Sequence, residues 1–149
     1  MDSIKIVDTL LVEDNPADAR LIQEAIKQFQ VEHKINVVED GIESMEYLHK
    51  KGEYKDCETP DLIILDLNLP RKSGREVLKE VKNEDKLMTI PVIILTTSKN
   101  EADVCESYKC YANAYMTKPT DFSDFMDAIK NFESFWFNNA VLPKKCNKN

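Results

Sequence analysis

The stretch Asp61–Pro70, reading Asp-Leu-Ile-Ile-Leu-Asp-Leu-Asn-Leu-Pro, restricts the fold of this chain more than any other. Leu62 to Leu65 is an unbroken apolar run bounded by turn residues and carboxylates. Such a run fits a central strand buried on both faces, as in a parallel sheet covered by helices. It stops at Asp66, and Pro70 and Gly74 break the pattern beyond it. Open α/β sheets place their ligand crevice at the carboxyl ends of the strands, so Asp66 stands where chemistry is expected.

The flanking sequence repeats the strand-then-helix pattern. Residues 6–13 predict a first strand with its apolar end at Leu10-Leu11-Val12. Asn15-Pro16 then opens a helix, Pro16 suiting the first helical position, with Leu21, Ile22, Ala25, Ile26 and Phe29 at helical spacing. A second strand is expected at about 34–39, shorter and more polar, near a sheet edge. Asp40-Gly41 starts a helix carrying Ile42, Met45 and Leu48, and residues 53–60 read as a polar surface loop. After the Asp66 strand, Ser73-Gly74 leads into a helix with Val77, Leu78 and Val81. Residues 90–98 give a fourth strand, 101–110 a helix and 112–116 a short fifth strand. Asp121 caps a final helix bearing Phe122, Phe125, Met126, Ile129, Phe132, Phe135 and Trp136.

Five strands alternating with five helices imply a parallel sheet with both faces covered. With right-handed crossovers, the expected fold is α/β, a flavodoxin-like doubly wound (βα)5 arrangement with strand order 2-1-3-4-5. The 149 residues suffice for one domain, read as 1–143, with 144–149 as a disordered tail. The sequence has neither an apolar stretch long enough to span a bilayer nor a secretory signal pattern, so the expectation is a cytoplasmic protein without membrane contact. Twenty-seven acidic against 20 basic side chains give a formal net charge of −7, which argues against nucleic acid as a partner. Lys144, Lys145 and Lys148 read as a solvated tail. Cys57, Cys105, Cys110 and Cys146 form no C-x-x-C pair and are expected to be free thiols. The three glycines do not cluster, which removes a Gly-rich phosphate loop.

In a parallel sheet every strand ends at one edge. That edge would collect Glu13-Asp14, Asp66, Thr96-Thr97-Ser98 and Lys118-Pro119. Clustered carboxylates repel one another, and a divalent cation relieves the repulsion. An all-oxygen set selects a hard ion, and Mg²⁺ suits a site with few protein ligands. A lysine and a hydroxyl beside it suit the oxygens of a phosphoryl group.

These residues resemble the receiver domain of two-component response regulators. The likeness rests on the Glu13-Asp14 pair, the apolar-flanked Asp66, Leu69-Pro70 followed by Gly74, Thr96 ending strand four, and Lys118-Pro119, and it spans about residues 6–137. More narrowly, Leu-Thr-Thr-Ser at 95–98, Ala-Asn-Ala-Tyr at 112–115, Phe-Trp at 135–136 and Leu-Pro at 142–143 look like the small stand-alone regulators that pair with phytochrome-type histidine kinases. The resemblance implies that Asp66 is a phosphoacceptor for a sensor histidine kinase. It also implies that Asp14 and Asp66 ligate Mg²⁺ directly, with Glu13 acting through water and the backbone carbonyl of Asn68 completing the set. Thr96 and Lys118 would bind phosphoryl oxygens, and Tyr115 matches the aromatic switch position. Asn68 and Ser98 would lie near the hydrolytic water and set the lifetime of the modified state. Glu13 stands where many members carry Asp. The protein would be a switch with slow autodephosphorylation rather than a turnover enzyme, its signal leaving by protein–protein contact.

Rival classes differ at named positions. A haloacid-dehalogenase-type phosphohydrolase needs an Asp two residues after its nucleophile, where this chain has Asn68. A phosphorylation-independent interaction module is the alternative reading, although the acidic pair, Asp66 and Lys118 are all present. Separately, Phe135, Trp136 and Phe137 are consecutive, and one helix face cannot bury all three. Either Val141-Leu142-Pro143 folds back over them, or a partner does. The reading favours a homodimer through the last helix, with Phe135 and Trp136 at the interface.

Overall fold

The computed structural model describes residues 6–28 and 32–143. Five parallel strands form one sheet in the order β2-β1-β3-β4-β5, as the alternation predicted. They are β1 (Val7–Val12), β2 (His33–Val38), β3 (Leu62–Leu65), β4 (Val92–Thr96) and β5 (Ala114–Thr117). The helices are α1 (Pro16–Lys27), α2 (Gly41–Leu48), α3 (Gly74–Lys82), α4 (Glu101–Lys109) and α5 (Phe122–Glu133). The register is continuous across the centre: Val12 lies beside Leu65, Leu65 beside Ile94, and Thr96 beside Thr117.

Every residue of β1, β3 and β4 is buried, which explains why these strands read as apolar runs rather than as alternating ones. The sheet divides the interior into two cores. Leu10, Val12, Ile63, Leu65 and Ile94 face α2 and α3, while Leu11, Leu62, Ile64 and Ile93 face α1 and α5. The helices start where short polar side chains can satisfy their first N–H groups. Asn15, Asp40, Ser73, Asn100 and Asp121 all accept such bonds.

Some expectations shift. β2 is an edge strand with a mostly half-buried face, but it is six residues long, as is β1. The 53–60 segment is less of a surface loop than its polarity suggested. It opens with a 3₁₀ turn over Gly52–Tyr54, Tyr54 and Cys57 pack on the core, and the Tyr54 hydroxyl donates to Glu43 at 2.7 Å. β5 begins two residues later than expected because Asn113 is spent on β4: its Oδ1 accepts from the Val92 N–H at 2.8 Å.

The last helix changes pitch after Glu133. Ser134–Asn139 forms a π-type turn, in which the Ala140 N–H reaches the Phe135 carbonyl at 2.7 Å. The wider turn brings Phe137 beneath Phe132, edge to face with centroids 6.0 Å apart. Phe137 and Leu142 are buried, Trp136 is half-buried, and Phe135 stays exposed. The chain after the helix therefore does cover part of the aromatic surface. Phe29, the 144–149 tail with its lysines, and Cys146 lie outside the described residues; Cys57, Cys105 and Cys110 are free thiols.

Candidate functional site

The carboxyl edge of the sheet brings the predicted residues together. Glu13 follows β1, its backbone N–H donating to the Val38 carbonyl at 3.0 Å, and its side chain turns into the protein at 2% exposure. Asp14 follows it and is exposed. Asp66 follows β3 and is buried, and its Oδ1 accepts from the backbone N–H of Asn68 at 3.1 Å. One carboxylate oxygen each from Glu13, Asp14 and Asp66 lie within 4.8 Å of one another.

Lys118, the residue after β5, closes the cluster. Its backbone N–H donates to the Thr96 carbonyl at 2.7 Å, which locks the two strand ends to each other. Its side chain is 5% exposed and its ammonium lies 2.5 Å from Glu13 Oε1, 2.9 Å from Asp18 Oδ2 and 3.0 Å from Asp66 Oδ2. Burial disfavours a charged lysine, but these carboxylates outweigh it and raise the ammonium above its ordinary pKa. Glu13 is also raised, which in a carboxyl disfavours the charged form. Burial, with the negative charge of Asp66 beside it, pushes its carboxyl up to about 7 against the pull of Lys118.

The geometry of these side chains fits a divalent cation. Three converging carboxylates hold more negative charge than one ammonium neutralises, and all their donor atoms are hard oxygens. Thr96 adds a second unfilled demand. Its residue is fully buried, and Oγ1 has no hydrogen-bond partner among the described residues.

The loop after β4 is tied down by polar contacts. Ser98 Oγ donates to Asp103 Oδ2 at 2.5 Å, Arg75 of α3 pairs with the other oxygen of Asp103, and the Tyr115 hydroxyl donates to the Ser98 carbonyl at 2.9 Å. Ser98 is thus engaged with α4 through its side chain. Phe135 and Trp136 lie on the chain beyond α5, apart from the acidic cluster, with their rings edge to face at 5.1 Å.

Asp18 is the residue that the sequence reading missed. It sits in the first turn of α1, where a carboxylate is ordinarily explained by the helix dipole. Its place in the first turn of the helix that Asn15-Pro16 opens, directly after the Glu13-Asp14 pair, was the available signal.

Comparison with known proteins bears on the family and the fold. The family model for the response regulator receiver domain matches residues 9–130. The chain is 46% identical over 134 residues to the response regulator Rcp1 of Synechocystis sp., covering 90% of this chain and 91% of that protein. Among solved structures, the phosphorylated cyanobacterial phytochrome response regulator RcpA superposes with a TM-score of 0.90 at 48% identity, covering 93% of this chain and 99% of that one. The Mn²⁺-bound form of Rcp1 also gives 0.90, at 45% identity over 92% of this chain and 99% of that one. Among the described residues, no helix is long and apolar enough to cross a membrane. The chain belongs to the response regulator receiver domain family.

Proposed function

We propose that the protein is a cytoplasmic phosphoacceptor switch, loaded on Asp66 by a sensor histidine kinase of the phytochrome type. The observation that carries this reading is the Lys118 ammonium, 3.0 Å from Asp66 inside a cluster of carboxylates at the sheet edge. The Rcp1 and RcpA relatives support the choice of partner.

In the reaction, a carboxylate oxygen of Asp66 forms a bond to phosphorus. The bond from phosphorus to the donor's imidazole nitrogen breaks, and its electron pair stays on that nitrogen. Asp14, Asp66 and the Asn68 carbonyl would hold a Mg²⁺ ion, with Glu13 acting through water, and the ion when bound would supply positive charge beside the phosphoryl oxygens. Lys118 exchanges its Asp66 contact for a phosphoryl oxygen. The unpartnered Thr96 hydroxyl donates to another, so the chain supplies positioning and charge, which is most of what phosphoryl transfer needs.

Thr96 moving toward the phosphoryl group carries the Thr97-Ser98 segment with it, and Tyr115 is bound to that segment through the Ser98 carbonyl. Loading therefore biases the surface formed by α4, β5 and α5. Asn68 and Ser98 set the lifetime of the acyl phosphate, which hydrolyses slowly, so the protein is a switch and not a turnover enzyme. Exposed Phe135 with Trp136 serves a homodimer interface beyond α5.

Intact-mass spectrometry with phosphoramidate or acetyl phosphate, with and without Mg²⁺, tests the reading. The expected result is one added phosphoryl group that requires Mg²⁺ and is absent in Asp66→Asn. No adduct in the wild type, together with no response to beryllofluoride, would leave a phosphorylation-independent interaction module.

A further inference from the structure

Lys118 has one more carboxylate partner than the proposed reaction employs. An ammonium carries three N–H donors, and Glu13, Asp18 and Asp66 saturate all three. Glu13 and Asp66 also belong to the group of oxygens that converges with Asp14, whereas Asp18 does not. Asp18 comes from a different element, the first turn of α1, and its side chain is 28% exposed against 2% for Glu13 and 8% for Asp66.

We propose that Asp18 is a positioning residue, anchoring the Lys118 ammonium over Asp66 while the Asp66 contact passes to a phosphoryl oxygen. The inference rests on the phosphoacceptor reading of Asp66. Its physical reason is the flexibility of a lysine. A compact charge on a four-carbon stem stays in place only as long as its acceptors hold it. During loading Asp66 gives up its contact, and Glu13 is shared with the cation site. Asp18 is the one carboxylate partner with no second role.

Asp18 also lines a cleft beside Lys118, together with Leu21, Thr97, Thr120 and Phe122. A carboxylate there repels an incoming phosphate. Its removal as a charge therefore speeds loading, and its removal as an anchor slows it, so the two roles predict opposite signs.

The test follows loading by phosphoramidate with Mg²⁺, read by intact mass, for wild type, Asp18→Asn and Asp18→Ala, and for Asp18→Ala in a Lys118→Ala background. The expected result is that Asp18→Ala loads about tenfold slower, while Asp18→Asn stays within about twofold of wild type because its amide oxygen still accepts from the ammonium. In the Lys118→Ala background, Asp18→Ala slows loading no further. The inference is overturned if Asp18→Ala loads as fast as wild type or faster, if both variants slow alike, or if the slowing persists without Lys118. Those outcomes leave the phosphoacceptor reading intact. A wild type that gains no phosphoryl group, or gains it equally in Asp66→Asn, overturns that reading and this inference together.

Discussion

Gly74 lies flush against the backbone of Asp66: a Cβ built on it would overlap the Asp66 carbonyl oxygen and the Leu67 Cα. The Gly74 N–H also donates to the Leu67 carbonyl at 2.9 Å, so α3 begins in direct contact with the segment that carries Asp66, the proposed acceptor. Gly74→Ala must push that segment away. The expected cost is about 1–3 kcal/mol, as for other overpacked sites, measured by urea unfolding. Loading at Asp66 should fall as well. A variant as stable and as readily loaded as wild type would show that the contact is slack.

Lys118→Met tests the charge balance of the cluster. Removing the ammonium leaves Glu13 and Asp66 buried without their counter-charge, which should cost about 3–5 kcal/mol in the absence of metal. The remaining carboxylates should bind Mg²⁺ more strongly than in wild type. The rise in Tm on adding Mg²⁺ is therefore expected to be larger in the variant. An equal rise in both proteins would mean that Lys118 does not compete with the cation for these oxygens.

Asp103 joins α3, α4 and the segment after Thr96 through Arg75 and Ser98. Of α4, only Ser107 is buried, so polar contacts rather than apolar ones hold this helix. Asp103→Ala is expected to raise hydrogen exchange across residues 98–110 with little change in global stability. The Ser98 hydroxyl and then Arg75 hold the Asp103 carboxyl below its usual 3.8. A depressed carboxyl stabilises the fold above its ordinary pKa and loses that contribution as pH falls through the folded value. The difference between wild type and variant should thus be full at neutral pH and vanish only in acid. A difference that persisted unchanged at the lowest pH would assign it to packing instead.

Phe135 is 51% exposed and Val141 87% exposed, while Phe137 and Leu142 between and beyond them are buried. Phe135→Ser should dissociate the proposed homodimer and remove the concentration dependence of Tm, while the monomer's own stability changes little because Phe135 is half exposed. Sedimentation equilibrium across the micromolar range checks this. A wild type that stays monomeric throughout would end the dimer proposal.

The sheet order was legible because β1, β3 and β4 are buried on both faces and cannot hide their apolar runs. The edge residues were legible for the same reason: a polar residue at the end of such a run stands out, as Asp66 and Thr96 do. Asp18 does not stand out, since a first-turn carboxylate has an ordinary explanation and its lysine partner is 100 residues away. Asp103 was missed on similar grounds, being bound to Arg75 of another helix. The pitch change after Glu133 depends on how Phe132 and Phe137 meet in space, at a five-residue spacing that α-helical periodicity does not anticipate.

The lone hydroxyl of Thr96 has a thermodynamic side. A buried polar group without a partner costs about 1–3 kcal/mol, and the free fold carries that cost continuously. An occupant that offers Thr96 an acceptor relieves it, and each 1.4 kcal/mol so recovered strengthens binding about tenfold beyond the occupant's other contacts. Part of the affinity at this edge is thus set by a deficit in the free protein and not by the bound state alone. Removing the hydroxyl, by Thr96→Val, or satisfying it from within, by a nearby substitution that gives it an acceptor, would make the free form more stable and the proposed switch correspondingly harder to throw.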